Sequence, residues 1–190
     1  TPRRLTTFFD FKSPHCYVAL PALLALKKEE GGGGGEEGEE EGIALDWHPF
    51  VSRPLKAPAH EAPGEDRSTK HRRIRGEYHV NDIQRYAPHA LSDIHRETDC
   101  HFADMGLLWL QRELAAGRDV IDDYVERVFV HLWLENGAID SARAIEPLLL
   151  ATAGLPADFE RARPGEAWAE TCAEVWRAYA DNPGPAHLDE

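Results

Sequence analysis

Apolar residues recur with two different periods along the first fifty positions, and together they predict a strand, a helix and a second strand. Residues 5–11 are rich in β-branched and aromatic side chains, which is typical of a buried strand. A broad apolar face then predicts a helix from Pro14 to about Lys28, kinked at Pro21. Residues 43–48 alternate between apolar and polar, which predicts a second strand. This order predicts a right-handed parallel βαβ unit.

The rest of the pattern predicts an irregular segment followed by helices. Prolines at positions 49, 54, 58 and 63 favour irregular chain across 49–88. Four segments with helical spacing of apolar residues then follow. Capping residues open the first three, at Ser92, at Asp119, and at Asp140 or Ser141, and Pro164 starts the fourth. These segments predict helices at about 92–117, 119–136, 140–154 and 164–182. Pro147 is expected to disturb the third of them.

Residues 29–42 contain only glycine and glutamate, which predicts a disordered loop. The segment holds seven glutamates and no basic residue, in a chain of 190 residues whose formal net charge is −13. About half of the negative charge is therefore local. An acidic chain argues against nucleic acid as a partner.

The bulk composition indicates one domain in a reducing compartment. A hydrophobic content of 42% is enough for a core, and three cysteines do not form a disulfide framework. No segment is apolar and long enough to cross a membrane, and no signal-peptide pattern is present. We therefore expect a protein of the cytoplasm or an organellar matrix without a membrane partner. The ten histidines are scattered without metal-ligand spacing, so no metal site is predicted.

The sequence Ser13-Pro14-His15-Cys16 directly follows the first predicted strand. Serine is a favoured helix N-cap and proline favours the first helical position, so we expect the helix to begin here. The start of the helix would then form a small anion site. A cysteine in place of Ser13 would complete the C-x-x-C redox motif. Because serine removes one of the two sulfurs, the motif favours a site that takes its thiol from a cofactor such as glutathione.

This motif resembles the opening of DsbA-like thioredoxin-fold proteins. Its serine makes it most similar to the kappa-class glutathione transferases and the 2-hydroxychromene-2-carboxylate isomerases. Other stretches resemble these proteins in the same order over roughly residues 5–160. They are the Trp-His-Pro-Phe of 47–50 with the Leu-Lys of 55–56, the tyrosine, aspartate and arginine pattern of 78–87, Phe129 with Leu132-Trp133, and the Ala-Gly-Leu of 153–155.

The resemblance implies an α/β fold, a thioredoxin-like βαβ with a large helical insertion. It divides the chain into a βαβ half at 1–60, an insertion at 61–160, and a C-terminal helix and tail at 161–190. Members of the family continue with two antiparallel strands and a cis-proline loop, usually Gly-Val-Pro. No such sequence follows Leu155, so these strands are apparently lacking or degenerate here.

The resemblance also implies the site residues. Ser13 would be catalytic, donating to a glutathione or substrate thiolate. Glutathione would contact residues of the motif and of the loop after the second strand: Ser13, Pro14, His15, Cys16, Pro49, Phe50 and Lys56. The residues alone leave other roles open. Ser13 could be only an N-cap, Cys16 a buried structural thiol, His15 an exposed side chain and Lys56 a solvated lysine.

Other charged residues outside the motif also need an interpretation. The basic cluster Arg67, Lys70, Arg72, Arg73 and Arg75 could be solvated surface or a clamp for an anionic ligand. Asp82 and Arg85 are three residues apart, which favours a surface ion pair. Asp10 could be a buried anchor or a turn residue.

The function implied is that of a glutathione-dependent isomerase or transferase acting on a small aromatic or unsaturated substrate, with a homodimer as its expected assembly. Two other hypotheses stay open. The chain could be a thiol–disulfide oxidoreductase-like protein that uses Cys16, or a non-catalytic, truncated member of the family.

Overall fold

The computed structural model describes residues 3–29, 43–53, 55–57, 60, 63–112 and 116–153. These residues form two strands and five helices, in the order β1 (Arg3–Phe9), α1 (Pro14–Glu29), β2 (Ile43–Pro49), α2 (Arg67–Tyr86), α3 (His101–Arg112), α4 (Arg118–Trp133) and α5 (Ala142–Ala153). The predicted α/β class and the strand–helix–strand opening are confirmed.

The strands β1 and β2 pair in parallel, as predicted, with Arg3 opposite Ile43 and Phe9 opposite Pro49. β1 begins and ends two residues earlier than the sequence predicted. Its end is set by Asp10, whose carbonyl accepts from Ser13 N at 3.0 Å and whose Oδ1 accepts from Lys12 N at 3.0 Å. These bonds turn the chain from the strand into the helix within three residues.

The prediction of irregular chain over 49–88 is wrong for residues 67–86, which form the helix α2. The four prolines at 49–63 all precede it, and Asp66 caps it by accepting from Thr69 N at 2.9 Å. Only Arg73 and Ile83 are assigned as buried along its twenty residues. Because the helix has almost no apolar face, hydrophobic periodicity could not reveal it.

The beginning of α3 differs most from its predicted bounds. The prediction started this helix at Ser92, but α3 begins at His101. Ser92 caps no helix, because its hydroxyl donates to Asn136 Oδ1 at 3.0 Å instead. Asp99 Oδ1 accepts from His101 N at 2.9 Å, at the true start. Tertiary contacts therefore hold 92–100 as a loop.

The other helix ends agree more closely with the sequence. The N-cap of α4 is Gly117 rather than Asp119, which lies in the first turn. The chain leaves α4 through Asn136, whose φ is 55°. Ser141 Oγ accepts from Ala144 N at 3.3 Å, so Ser141 rather than Asp140 opens α5. The helices α1 and α5 both continue through their internal prolines, Pro21 and Pro147, which are exposed.

The core lies between the sheet and the helices, and α4 is bonded to both α1 and β2. The most deeply buried large side chains of the core include Trp47, Tyr124, Phe11 and Phe129. Trp47 Nε1 donates to Asp122 Oδ1 at 2.6 Å, and Lys27 Nζ donates to Asp122 Oδ2 at 2.7 Å. This buried carboxylate on α4 therefore ties together α1 and β2.

Several predictions lie outside the described residues. These are the loop beyond Glu29, the end of the third helix at Gly154, the C-terminal helix, Cys172, and the tail in which the cis-proline loop was sought. Across the ranges that the structure describes, no peptide bond is cis. Nor does any helix within those ranges have the length and apolar character needed to cross a membrane.

Candidate functional site

Two loops meet where the parallel strands end, and Asp10 joins them. Asp10 is 1% exposed, and its Oδ2 accepts from both Ser52 N and Ser52 Oγ at 2.7 Å. Lys12 Nζ completes the cluster at 2.9 Å from the same oxygen. Asp10 is therefore a buried anchor as well as a turn residue, and it fixes the loop after β2 against the loop that carries Ser13.

Ser13 is the N-cap of α1. Its Oγ accepts from Cys16 N at 3.4 Å, and its carbonyl accepts from Tyr17 N at 3.2 Å. The preceding turn is fixed from the opposite side, because Trp133 Nε1 donates to Phe11 O at 2.9 Å. The Ser13 hydroxyl is half-buried and held at the positive end of the α1 dipole.

A cavity of about 290 Å³ opens beside Ser13. Its wall comes from three segments of the chain: residues 12–15 at the start of α1, residues 52, 53, 55 and 56 after β2, and residues 94 and 96 before α3. His95 Nδ1 lies 3.0 Å from Leu55 O, which joins the second and third segments. We call this space the Ser13 cavity.

The structure brings together only part of the predicted site. Ser13, Pro14, His15 and Lys56 line the Ser13 cavity. Cys16, Pro49 and Phe50 do not line it: Cys16 is half-buried within α1, Pro49 is buried at the end of β2, and Phe50 N donates to Phe9 O at 2.9 Å.

Sequence reasoning missed three cationic residues of this cavity, Lys12, Arg53 and Arg96. Lys12 directly precedes the motif, so its position was a usable signal. Arg53 lies three residues before Lys56 in the loop that the resemblance had already indicated. Nothing local marked Arg96, which lies in a segment wrongly predicted to be helical.

The Ser13 cavity is strongly cationic. Lys12 is neutralised by Asp10, but within the described ranges no carboxylate forms an ion pair with Arg53, Lys56 or Arg96. No aspartate or glutamate lines the cavity among those residues either. The start of α1 adds the positive end of a helix dipole. The arrangement therefore fits an anionic ligand.

The basic cluster at 67–75 lies apart from this cavity, on α2. Arg73 is buried and pairs with Glu65 at 2.8 Å and Glu77 at 3.0 Å. Arg67, Arg72 and Arg75 line a separate groove on the exposed side of the helix. Most of the cluster is thus exposed surface.

The predicted ion pair between Asp82 and Arg85 does not form. The negative charge of Asp82 instead favours the protonated form of the His15 imidazole.

His15 stands between the cavity and α2. Its ring centroid lies 5.8 Å from that of His79. Partial burial lowers the pKa of His15 below 6.5, and repulsion from His79 lowers it further, whereas the attraction of Asp82 raises it. His15 is therefore mainly neutral at pH 7 and can accept or donate a hydrogen bond at the cavity wall.

We expect NMR titration to give His15 a midpoint below 6.5, with His15→Gln identifying its signal. Replacing His79 with alanine should raise the midpoint, and Asp82→Asn should lower it further. The unfolded chain binds this proton more readily, so the stability that neutral His15 contributes is present above pH 6.5 and lost as the pH falls through the folded pKa. Equal midpoints in all three proteins would contradict this arrangement.

The second described cysteine cannot easily support thiol chemistry. Burial raises the pKa of the Cys100 thiol, and the nearby carboxylates Asp10 and Asp104 raise it further. Asp104 is itself buried with Oδ1 unpaired among the described residues, and burial together with Asp10 raises its pKa well above the usual range. Cys100 therefore remains a neutral, unreactive thiol.

A comparison with protein-family models gives a result that agrees with the motif at the start of α1 and with the parallel strands. The model of the DSBA-like thioredoxin domain matches residues 4–181. This chain belongs to the DSBA-like thioredoxin domain family. The resemblance carried by the sequence motifs is thereby confirmed at the level of the family.

Solved structures similar to this DSBA-like domain include two with the same fold. A 2-hydroxychromene-2-carboxylate isomerase superposes with a TM-score of 0.56 at 19% identity, covering 92% of this chain and 78% of the isomerase. A "putative protein disulfide isomerase" from Nitrosomonas europaea gives 0.57 at 10% identity, covering 95% and 79%. No curated protein sequence matches significantly. At these identities the likeness shows the fold alone.

Proposed function

We propose that this DSBA-like domain is a glutathione-dependent isomerase or transferase acting on a small aromatic or unsaturated substrate. The observation that carries the proposal is the position of Ser13, which caps α1 at the wall of a cationic cavity. A serine in that position offers a hydroxyl to a sulfur that the protein itself does not supply. The fold shared with an isomerase of known structure supports the proposal.

The Ser13 hydroxyl can serve the helix and the ligand together. Its oxygen accepts from Cys16 N, and this bond leaves the hydroxyl proton available to donate to a thiolate. Pro14 has no N–H, so the first donor of α1 that could also face the sulfur is that of His15. The hydroxyl, this N–H and the helix dipole together favour the ionised thiol over the neutral one.

The thiolate would then act as a nucleophile. Its electron pair forms a carbon–sulfur bond at an unsaturated carbon of the substrate, and the charge moves onto a conjugated electron-withdrawing group. For an isomerase, rotation about the saturated bond follows, and expulsion of the thiolate restores the double bond. For a transferase, the bond to sulfur remains in the product, and the carbanion formed by the addition takes up a proton from solvent water.

The size and charge of the cavity suit the tripeptide better than a large substrate. Its volume of about 290 Å³ lies just below the range of about 300–1,000 Å³ for ligand pockets, so it has room for a small ligand only. Lys56 stands at the wall and can pair with a carboxylate of glutathione. The second substrate would occupy the open side of the cavity.

Calorimetric titration with glutathione tests the proposal. We expect the wild type to bind, and Ser13→Ala to bind about 10–100-fold more weakly, because a hydrogen bond to a charged group is worth about 1.5–3 kcal/mol. Ser13→Thr is the matched control, since it keeps both the hydroxyl and the capping role. Absence of binding by the wild type would contradict the proposal, as would equal affinities of the wild type and the alanine variant.

An insulin-reduction assay, run beside the glutathione titration, separates the other two hypotheses. A thiol–disulfide activity would require a thiol partner for Cys16, and Cys100 is held neutral by its surroundings. Insulin reduction that disappears in Cys16→Ser would favour this activity. Absence of both glutathione binding and insulin reduction would favour a non-catalytic role.

A further inference from the structure

We propose that Arg96 recognises a carboxylate of the ligand bound at Ser13. Arg96 lies far from the motif in sequence, yet its side chain lines the same cavity. The inference rests on the proposed function for the identity of the ligand as glutathione. Its basis in charge is independent of that identity, because Arg96 faces an anion site whatever the ligand is.

The guanidinium of Arg96 is held in place before any ligand arrives. Its Nη1 donates to Leu132 O at 3.2 Å, and its Nη2 donates to Gly137 O at 2.9 Å. Leu132 lies in the last turn of α4, where the helix dipole favours a cation, and Gly137 lies in the loop that follows this helix. A guanidinium has five N–H donors, so others remain for a ligand.

Among the described residues, the partners of the Arg96 charge are dipoles and not carboxylates. The side chain is half-buried, and no described carboxylate pairs with it. Carbonyl oxygens orient the guanidinium but do not neutralise it. A ligand carboxylate in the cavity would complete the charge balance and could accept two parallel hydrogen bonds.

The other uncompensated cations are less suited to this role. Arg53 and Lys56 line the same cavity, but both are exposed. Solvated side chains lose rotamer freedom when they bind a ligand, whereas Arg96 is already fixed. Arg96 therefore selects the ligand by the position of its carboxylate, whereas Arg53 and Lys56 attract anions in general.

A purely structural role for Arg96, as a link to the end of α4, would also weaken binding when Arg96 is replaced. Thermodynamic coupling between the side chain and the ligand distinguishes the two roles. The ligands are glutathione and its two mono-amides, in each of which one carboxylate is neutral. The proteins are the wild type, Arg96→Gln, and Arg53→Gln as the matched control.

In the wild type, we expect neutralising the recognised carboxylate to weaken binding about 10–100-fold. Arg96→Gln should bind glutathione with an affinity that is lower than that of the wild type by a similar factor. Replacing glutathione by the same amide should then lower the affinity of this variant little further. In Arg53→Gln, the amide should weaken binding as much as in the wild type. If both amides weaken binding to Arg96→Gln as strongly as to the wild type, the proposal is wrong.

Glutarate, a thiol-free dicarboxylate, separates this inference from the proposed function. If glutarate binds the wild type but not Arg96→Gln, and glutathione does not bind at all, the anion site stands and the proposed function fails. Glutarate binding that is equal in both proteins, or absent from the wild type, overturns the assignment of Arg96. If Arg96→Gln does not fold, the Nε resonance of Arg96 in the wild type must shift during the titration, and an unchanged resonance overturns the assignment.

Discussion

Replacing Asp10 with alanine should lower the free energy of unfolding by about 3–5 kcal/mol, because it leaves a buried charge and buried donors without their acceptor. Asp10 is 1% exposed, and the Lys12 side chain that pairs with it is only 11% exposed. The variant also leaves Ser52 N and Lys12 N without the carboxylate. Since small domains are stable by about 5–15 kcal/mol, this is a large share of the total.

Urea denaturation followed by circular dichroism measures this loss. Asp123→Ala is the matched control, because Asp123 also pairs with a cation, Arg127, but at the surface, with side-chain exposures of 40% and 47%. Surface ion pairs are worth about 0–1 kcal/mol, so the control should change little. If Asp10→Ala lost no more than Asp123→Ala, Asp10 would not be the anchor of the two loops.

The second large effect is expected from Gly106→Ala in α3. Alanine in a helix interior usually stabilises by about 1 kcal/mol relative to glycine. Here the added Cβ would overlap Tyr124 Oη and press on Ile145 Cγ2, at 3.3 Å. Tyr124 cannot move freely, because its hydroxyl donates to Ala103 O at 2.9 Å. We therefore expect a net loss of about 1–3 kcal/mol from overpacking, opposite in sign to the propensity.

Thermal unfolding of a double-mutant cycle tests the cause of this loss. Tyr124→Phe removes the oxygen that the new methyl group would meet, at the cost of one hydrogen bond. The double variant should therefore lose less stability than the sum of the two single variants. Strict additivity, or a gain in stability from Gly106→Ala alone, would show that the helices α3 and α4 have room to separate.

The prediction of α2 failed for a reason that its residues make clear. A helix is visible in a sequence when it buries an apolar face, and α2 buries little beyond Arg73 and Ile83. Its cap at Asp66 was a local signal, but it stood among prolines and charged residues that favoured irregular chain. The opposite error occurred at Ser92, where a good capping residue is used in a contact with Asn136.

Local signals along the chain were enough to predict the parallel strand–helix–strand opening and the role of Ser13 as the cap of α1. The cap and the individual elements depend on interactions between residues a few positions apart, which periodicity and capping preferences record. The parallel pairing follows from the order of these elements, because a strand–helix–strand connection brings its two strands side by side in the same direction. The set of cations around Ser13 depends instead on how distant segments pack together. The guanidinium of Arg96 is held by carbonyls of α4 and of the loop after it, more than thirty positions along the chain. No local pattern encodes that proximity, since it arises from packing between segments distant in sequence.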